Sequence, residues 1–207
     1  MEPTFGRTSY FSVSESINVP LFPLSILPLP GERVPLHVFE QKYCDLLEDL
    51  ETDDLIFGIL YADRFNDQQI GGLVKLEKVV NRYPTGESDI IVSCVGSFQL
   101  LRFFEHYEGR LYAGGEIVEL ELEENERFDE LLMSDYRAYL KLIGAEIPRT
   151  IRLFDIAISL NLPAEDKLEY LLLSDLERKQ KFLSVRLKLQ KFVVEQEHKQ
   201  KDSYKWN

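Results

Sequence analysis

The spacing of hydrophobic residues changes once along the chain, from short apolar runs and alternation to helical spacing. Before residue 125, the apolar segments 55–61, 71–80 and 89–106 predict strands, each bounded by polar or turn residues. Between Ile117 and Glu123, valine and leucine at 118, 120 and 122 alternate with glutamates, which predicts a half-buried strand. Gly96 predicts a bulge or bend inside the longest apolar segment.

From Asn125 onward the apolar spacing is that of helices. Four helices are predicted: one from about 125 to Ile143, one from Pro148 to about Asn161, one opening at Pro163, and one starting near Asp175. The inward stripe of the first of these helices is predicted to be Phe128, Leu131, Leu132, Tyr136, Tyr139, Leu140 and Ile143. That of the last is predicted to be Phe182, Val185, Leu189, Phe192, Val193 and Gln196.

This change of spacing predicts two parts with a boundary near Glu124 and Asn125. A β-rich subdomain is expected over residues 18–124, and a helical bundle over residues 125–199. Residues 1–17 and 200–207 are expected to be loosely held tails.

The segment from Val19 to Tyr43 is rich in prolines and large apolar residues. Because proline cannot donate a backbone hydrogen bond, Leu21 to Ile26 is predicted to be an edge strand or an interrupted strand. Pro30-Gly31 predicts a tight turn, since proline fixes its own φ and glycine accepts a positive one. A short helix with an acidic outer face is predicted next, with Phe39, Tyr43, Leu46, Leu47 and Leu50 inward.

This segment resembles the start of the amino-terminal, substrate-binding LON domain of Lon protease. The residues that carry the likeness are Pro20, Phe22, Pro23, Leu24, Pro30, Gly31, Pro35, Leu36, Phe39 and Tyr43, and later Gly96 and Pro163. The likeness extends from about Asn18 to Glu197, while Gln99 and the loop 61–70 depart from the family pattern. It implies an α+β fold, in which a PUA-like, β-barrel-type subdomain is followed by a helical bundle. The signature residues are expected to be mainly structural.

The resemblance covers the binding domain and not the catalytic parts of Lon protease. A phosphate-binding loop of the GxxxxGK[ST] type is required for its ATPase, and no Gly-Lys pair occurs in the 207 residues. The positions of the family's Ser-Lys dyad lie beyond the matched region. The resemblance therefore implies a stand-alone, non-enzymatic domain without a cofactor. It is expected to bind unfolded or extended polypeptide segments or a protein partner, such as a separate protease, in a recognition or adaptor role.

Five residues are candidates for contacting such a polypeptide. Arg33, His37 and Glu40 lie at the predicted turn and helix start, and Tyr61 and Phe65 are predicted to be exposed aromatics. Strand addition near Leu21 to Ile26 is the expected mode of binding. For each residue alone, an ordinary role in stabilising a turn or packing a loop is the alternative.

The charge distribution bears on a second hypothesis, RNA binding through a PUA-like fold. From Glu177 to the end there are nine Lys or Arg and four Asp or Glu, so residues 1–176 carry 15 basic and 32 acidic side chains. That part has a net charge of −17, which disfavours phosphate binding, and no nucleic-acid partner is expected. The basic last helix could meet a membrane surface, but packing in a bundle is favoured and no membrane partner is expected.

A third hypothesis is a hydrolase or metal site. His37 and Cys44 are seven residues apart, as a nucleophilic pair on one helix face would be, but His37 precedes the predicted helix. The six acidic residues from Glu116 to Glu126 lack the pattern of a calcium loop, so a solvated strand face is favoured and no metal is expected. Cys44 and Cys94 are predicted to be reduced and buried, and with no secretory signal the expected location is the cytoplasm.

Overall fold

The computed structural model describes residues 15–53, 55–120 and 129–204, which form two units, Met1–Leu122 and Glu123–Asn207. The predicted boundary at Glu124 and Asn125 lies outside the described residues. Within its described part, the first unit contains β1 (Ile17–Leu24), β2 (Arg33–Val38), α1 (Gln41–Asp53), β3 (Ile56–Tyr61), β4 (Ile70–Arg82), β5 (Ser88–Phe104) and β6 (Gly114–Glu119). The three apolar segments predicted as strands are confirmed as β3, β4 and β5.

The strands form one mixed sheet in the order β2-β5-β4-β3-β1-β6, and a further pairing of β5 with β6 closes it. All neighbours are antiparallel except β1 and β3, which are parallel. The long strand β5 pairs with β2 through its first half and with β6 through its second half. The register shifts where β4 passes from Leu73 to Val74, next to Gly96, so the bulge predicted there is confirmed.

Strand β1 lies between β3 and β6, so of the two predictions for this segment the edge strand is wrong and the interrupted strand is confirmed. Its first half pairs with β6 and its second half, from Leu21, pairs with β3. The change of partner occurs next to Pro20, which lies opposite Gly114. The prolines therefore interrupt each ladder without leaving the strand at the edge of the sheet.

The turn at Pro30 and Gly31 is confirmed, because Glu32 N donates to Leu29 O over 2.8 Å and Gly31 has φ 93°. The chain then continues as strand β2 to Val38. This strand is not predicted from the sequence, because the apolar residues after Pro35 have helical spacing. Helix α1 begins only at Gln41, where the Glu40 carbonyl accepts the first bonds. Phe39 therefore precedes the helix and is exposed, and its predicted place in the core is wrong.

Helix α1 covers one part of the closed sheet with the other residues of its predicted stripe. Tyr43, Leu46, Leu47 and Leu50 are buried, and the Tyr43 ring stacks on Phe22 with 3.8 Å between the ring centroids. A second cluster lies between opposing strands around Leu21, Phe98 and Ile117. In the last predicted strand, which overlaps the end of β6, Glu119 is exposed and Val118 and Leu120 are partly buried, as predicted, but Ile117, on the same face as Glu119, is fully buried. Residues 121–123 of that predicted strand lie outside the described part.

In its described part, the second unit contains α2 (Glu130–Leu142), α3 (Leu153–Ser159), α4 (Ala164–Leu172) and α5 (Leu176–Tyr204). Leu132, Tyr136, Tyr139 and Leu140 are buried as predicted, Leu131 and Ile143 are exposed, and Phe128 is outside the described residues. Leu131 falls outside the buried face because, at 100° per residue, it lies about 125° round α2 from the middle of the stripe formed by the buried residues.

Helix starts depend on local caps. Helix α3 begins at Leu153 rather than Pro148, because Asp155 accepts a hydrogen bond from the backbone N–H of Arg152. Pro163 precedes the first turn of α4 as predicted. The N–H of Arg178 donates to the Asp175 carboxylate, so Asp175 caps α5.

The buried face of α5 differs from the predicted one. Phe182 is buried as predicted, but the fully buried residues are Leu183 and Leu187, and four predicted inward residues are exposed: Val185, Leu189, Phe192 and Val193. The prediction failed because α5 carries two apolar stripes, and both have helical spacing. None of the described helices is long and apolar enough to span a bilayer.

Candidate functional site

Strand β2 has a hydrogen-bonded neighbour on one side only, which sets it apart from the other strands in the described part of the chain. Cys94 N donates to Glu32 O, so the next pair, Arg33 with Ser93, does not exchange hydrogen bonds. Every second residue from there has its backbone groups turned away from β5: Arg33, Pro35 and His37. The free edge of β2 thus offers three carbonyls and two N–H groups, because Pro35 has none.

The side chains at those three positions lie on the exposed face of the strand. The Arg33 Nε lies 2.8 Å from Glu77 Oε2, an ion pair in which the arginine remains largely exposed. His37 lies between two carboxylates: its Nδ1 is 2.8 Å from Asp89 Oδ1, and its Nε2 is 3.6 Å from Glu87 Oε2. These contacts orient the imidazole beside the free edge.

Two exposed aromatic rings lie next to His37, where β2 ends. The ring centroids of Phe39 and Tyr83 lie 5.9 and 6.0 Å from that of His37, the first stacked and the second edge-on. The Tyr83 hydroxyl donates to Asp89 Oδ2 over 2.7 Å. This bond and the one from His37 lower the pKa of Asp89, so the carboxylate stays ionised. The end of β2 therefore combines apolar surface with fixed negative charge.

Glu40 lies between this aromatic pair and α1, and its side chain is exposed. Its Oε2 accepts from Lys42 Nζ over 3.1 Å, and that contact raises the pKa of Lys42. The neighbouring Cys44 thiol donates to Gly86 O over 3.6 Å. Burial raises the pKa of this thiol, with nearby acidic residues adding to the effect, which keeps it protonated and a poor nucleophile.

The structure groups some of the predicted contact residues and separates others. Arg33, His37 and Glu40 follow one another along β2 and its end. Phe65 is exposed but lies far from these residues. It precedes Ile70, which pairs with Gln99 of β5, whereas Arg33 pairs with Ser93 of the same strand. The six residues between Ser93 and Gln99 span about 20 Å in a strand. Tyr61 is buried, so the prediction of an exposed aromatic there is wrong. It is the last residue of β3, and its carbonyl accepts from the buried Asn66 amide.

Sequence reasoning missed Phe39 and Tyr83 as parts of an exposed site. The spacing of Phe39, four residues before Tyr43, predicts a place in the core instead. Tyr83 lies in a turn segment whose position opposite β2 depends on strand pairing. Among the described residues, no group of three His, Cys, Asp or Glu side chains is arranged to hold a metal ion.

Comparison with known proteins identifies the family. The model of the ATP-dependent protease La (LON) substrate-binding domain matches residues 18–202, which is most of the chain. The chain belongs to this family. Its fold is similar to that of a Lon N-terminal domain protein from Xanthomonas campestris, with a TM-score of 0.61 and 20% identity over 77% of this chain and 92% of that one. The predicted LON family and α+β fold are confirmed.

A second solved structure, the N-terminal domain of a Mycobacterium avium complex Lon protease, has a TM-score of 0.42 and 16% identity, covering 86% of this chain and 96% of that chain. No curated protein sequence matches the chain. The matched region corresponds to the substrate-binding domain, and no match to the ATPase or peptidase domains of Lon is found.

The signature residues of this LON domain occupy defined structural positions. Pro20 is buried next to the partner change in β1, and Pro23 lies opposite Leu60. Leu24 and Leu36 pack on the cluster beneath α1. Pro35 lies on the free edge of β2, where its missing N–H breaks no bond to β5.

Proposed function

We propose that this LON domain captures extended polypeptide segments by adding them as a strand to the free edge of β2, and presents them to a separate protease. It acts in the cytoplasm and catalyses no reaction itself. The observation that carries the proposal is the free edge itself: two N–H groups and three carbonyls of Arg33, Pro35 and His37 face away from β5. Strand addition to such an edge uses backbone groups, which every polypeptide has.

The surroundings of the edge favour certain segments over others. Phe39 and Tyr83 give an apolar contact surface at the end of the strand, while Glu87, Asp89 and Glu40 add negative charge. A segment that carries an aromatic or aliphatic residue next to Lys or Arg complements both features. Acidic segments are disfavoured by repulsion from the same carboxylates.

Pro35 limits the number of backbone hydrogen bonds that the edge can form with an added strand. An added strand loses one hydrogen bond in the middle of the edge, because Pro35 cannot donate. A proline on an edge also hinders pairing between two copies of the same edge. The edge is therefore suited to short, reversible contacts with unfolded segments.

The proposal is tested by removing one edge N–H without removing a bond of the sheet. Arg33→Pro deletes the donor that faces away from β5, and Arg33→Ala deletes the same side chain but keeps that donor. The probe is a fluorescent peptide of alternating apolar and basic residues, followed by anisotropy. Loss of one hydrogen bond costs about 0.5–1.5 kcal/mol of binding free energy, which corresponds to roughly a two- to tenfold change in Kd. The Arg33→Pro variant should therefore bind the peptide more weakly than the Arg33→Ala variant by that factor.

Hydrogen exchange provides a second readout that does not depend on the variants. Peptide should slow exchange at the amides of Arg33 and His37 and leave those of β3, which lies inside the sheet, unchanged. Equal affinity of the two Arg33 variants, or protection elsewhere without protection at Arg33 and His37, would refute strand addition at β2. Thermal melts of both variants establish that each is folded.

A further inference from the structure

Beyond Phe182, which is buried, helix α5 carries an exposed apolar stripe that faces away from the fully buried Leu183 and Leu187. Val185, Leu189 and Phe192 are 59%, 63% and 58% exposed, and Val193 beside them is also exposed. The buried residues Leu183 and Leu187 lie about 160° round the helix from this stripe, at 100° per residue. The exposed stripe is therefore not needed for the packing that Leu183 and Leu187 provide.

The stripe has the spacing of a helix-pairing seam. Val185, Leu189, Phe192 and Gln196 are separated by four, three and four residues, which is the alternation of a and d positions in a coiled coil. Its apolar width, from Phe192 to Val193, is about 100° of the helix. A narrow apolar stripe of this kind can pack against the apolar stripe of a second helix.

A row of lysines runs along one side of the seam. Lys181, Lys188 and Lys199 are exposed and form no ion pair with any residue in the described part of the chain. Lys188 lies three residues after Val185 and four before Phe192, so it flanks the seam directly. Glu195 lies further round the helix on the same side, and its negative charge offsets the positive charge of the three lysines only in part.

We infer that the α5 seam, defined as Val185, Leu189, Phe192 and Val193 with the flanking Lys181, Lys188 and Lys199, docks an amphipathic helix of a partner protein that bears acidic residues beside its own apolar stripe. Charge complementarity selects this occupant. A second copy of α5 would place lysines against like charges, since the chain from Glu177 onward has nine basic and four acidic residues. An anionic membrane would be met by only a short, narrow apolar strip.

This surface is independent of the free edge of β2. The two belong to different units, and the seam takes a folded helix where the edge takes an extended segment. Loss of one activity should therefore leave the other intact.

The test uses a designed peptide of about three heptads, with leucine at the seam and glutamate at both flanks, and a second peptide in which lysine replaces each glutamate. Binding to the full chain is measured by anisotropy at low and high salt. The Glu peptide should bind more tightly than the Lys peptide, and the difference should shrink as salt screens it. The triple variant K181E/K188E/K199E should bind the Glu peptide about tenfold more weakly and prefer the Lys peptide.

Two further variants distinguish binding at the seam from a general effect of the protein's charge on peptide affinity. Leu189→Ser with Phe192→Ser should abolish binding of both peptides, since it removes the apolar contact but not Leu183 or Leu187. Arg137→Glu with Lys141→Glu on α2 changes charge elsewhere and should leave both affinities unchanged. Circular dichroism checks that each variant is helical.

Three results would overturn the inference. The first is equal binding of the Glu and Lys peptides. The second is binding to phosphatidylglycerol vesicles that is lost in the Leu189 and Phe192 variant, which would assign the seam to a membrane. The third is a dimer in sedimentation equilibrium that the same variant dissociates, which would assign it to a second copy. The fluorescent peptide of alternating apolar and basic residues that tests the β2 edge should bind these variants normally if the seam alone has been altered.

Discussion

Pro35 lies directly opposite Ile91 in the ladder of β2 and β5, at a pair whose backbone groups face away from each other. The missing N–H of Pro35 therefore costs the sheet nothing and is missing only from the free edge. The neighbouring edge donors, at Arg33 and His37, remain. A single residue thus sets how strongly this edge can pair with another strand.

Replacing Pro35 with alanine should increase the affinity for extended peptides. The substitution adds an N–H at the centre of the free edge, and one further hydrogen bond is worth about 0.5–1.5 kcal/mol, or roughly a two- to tenfold tighter complex. Peptide anisotropy measures the affinity, and sedimentation velocity shows whether pairing between edges of two chains also increases. Pro148→Ala, in the second unit, is the matched control. An unchanged or weaker affinity would show that added strands do not use this edge.

Phe39 should contribute to peptide binding, whereas Phe65 should not contribute to binding at β2. The two rings are equally exposed, at 63% and 64%, but only Phe39 stacks near His37. Phe39→Ala should weaken peptide binding by about 1–2 kcal/mol, because an exposed aromatic beside an edge provides apolar contact. Phe65→Ala removes the same surface from the loop after β3 and should change affinity by less than about twofold. If the two variants lose affinity equally, the aromatic contribution is not specific to the end of β2.

Local features of this fold could be predicted because they depend on a few adjacent residues. The turn at Pro30 and Gly31 follows from the φ of proline and the positive φ of glycine, within four residues. The start of α4 after Pro163 is similarly local. The buried positions Tyr43 and Leu46 follow from helical spacing once α1 has begun.

Features that depend on distant partners could not be predicted in the same way. The prolines of β1 indicate where hydrogen bonds are missing, but not that β6 and β3 pair with its two halves. Helix α5 has two stripes of helical spacing, and only the contacts with its own unit show that Leu183 is buried and Leu189 exposed. The candidate site has the same origin, since β2 brings His37 opposite Asp89, 52 residues away.

Gly71 should be the most sensitive glycine of the closed sheet. A Cβ at this position would lie 2.3 Å from Phe98 Cζ and 2.5 Å from the Ile59 carbonyl oxygen, and the backbone atom cannot move aside. Gly71→Ala should lower the free energy of unfolding by about 2–4 kcal/mol through overpacking. Urea unfolding followed by tyrosine fluorescence and circular dichroism measures the change.

Gly96→Ala is the matched control in the same sheet. Its added Cβ would lie 3.7 Å from Leu73 Cδ1, an ordinary contact, so the cost should stay below about 1 kcal/mol. Equal destabilisation by the two substitutions would contradict the close approach of β3 and β4 around the Phe98 ring.

The ion pair between Asp166 and Arg186 should make the second unit less stable in acid. Arg186 Nε and Nη2 donate to the two carboxylate oxygens over 2.7 and 2.9 Å, and these bonds lower the pKa of Asp166 below its ordinary value. A lowered folded-state pKa stabilises the fold above the unfolded-state pKa of about 3.9, and the stabilisation is lost as pH falls through the folded-state value. Asp166→Asn should therefore cost about 1–2 kcal/mol near neutral pH and less as pH falls below about 4.

Chemical denaturation at a series of pH values measures this difference, with Glu165→Gln as the control. Glu165 is exposed in the same first turn of α4, so it reports the loss of one carboxylate charge without the paired arginine. The stability of this control should stay close to that of the unmodified chain at each pH. An Asp166→Asn deficit that is constant from neutral to acidic pH would mean that the carboxylate acts by packing alone. Arg186 would then be held by its contact with the Phe182 ring, whose centroid lies 3.3 Å from the guanidinium carbon.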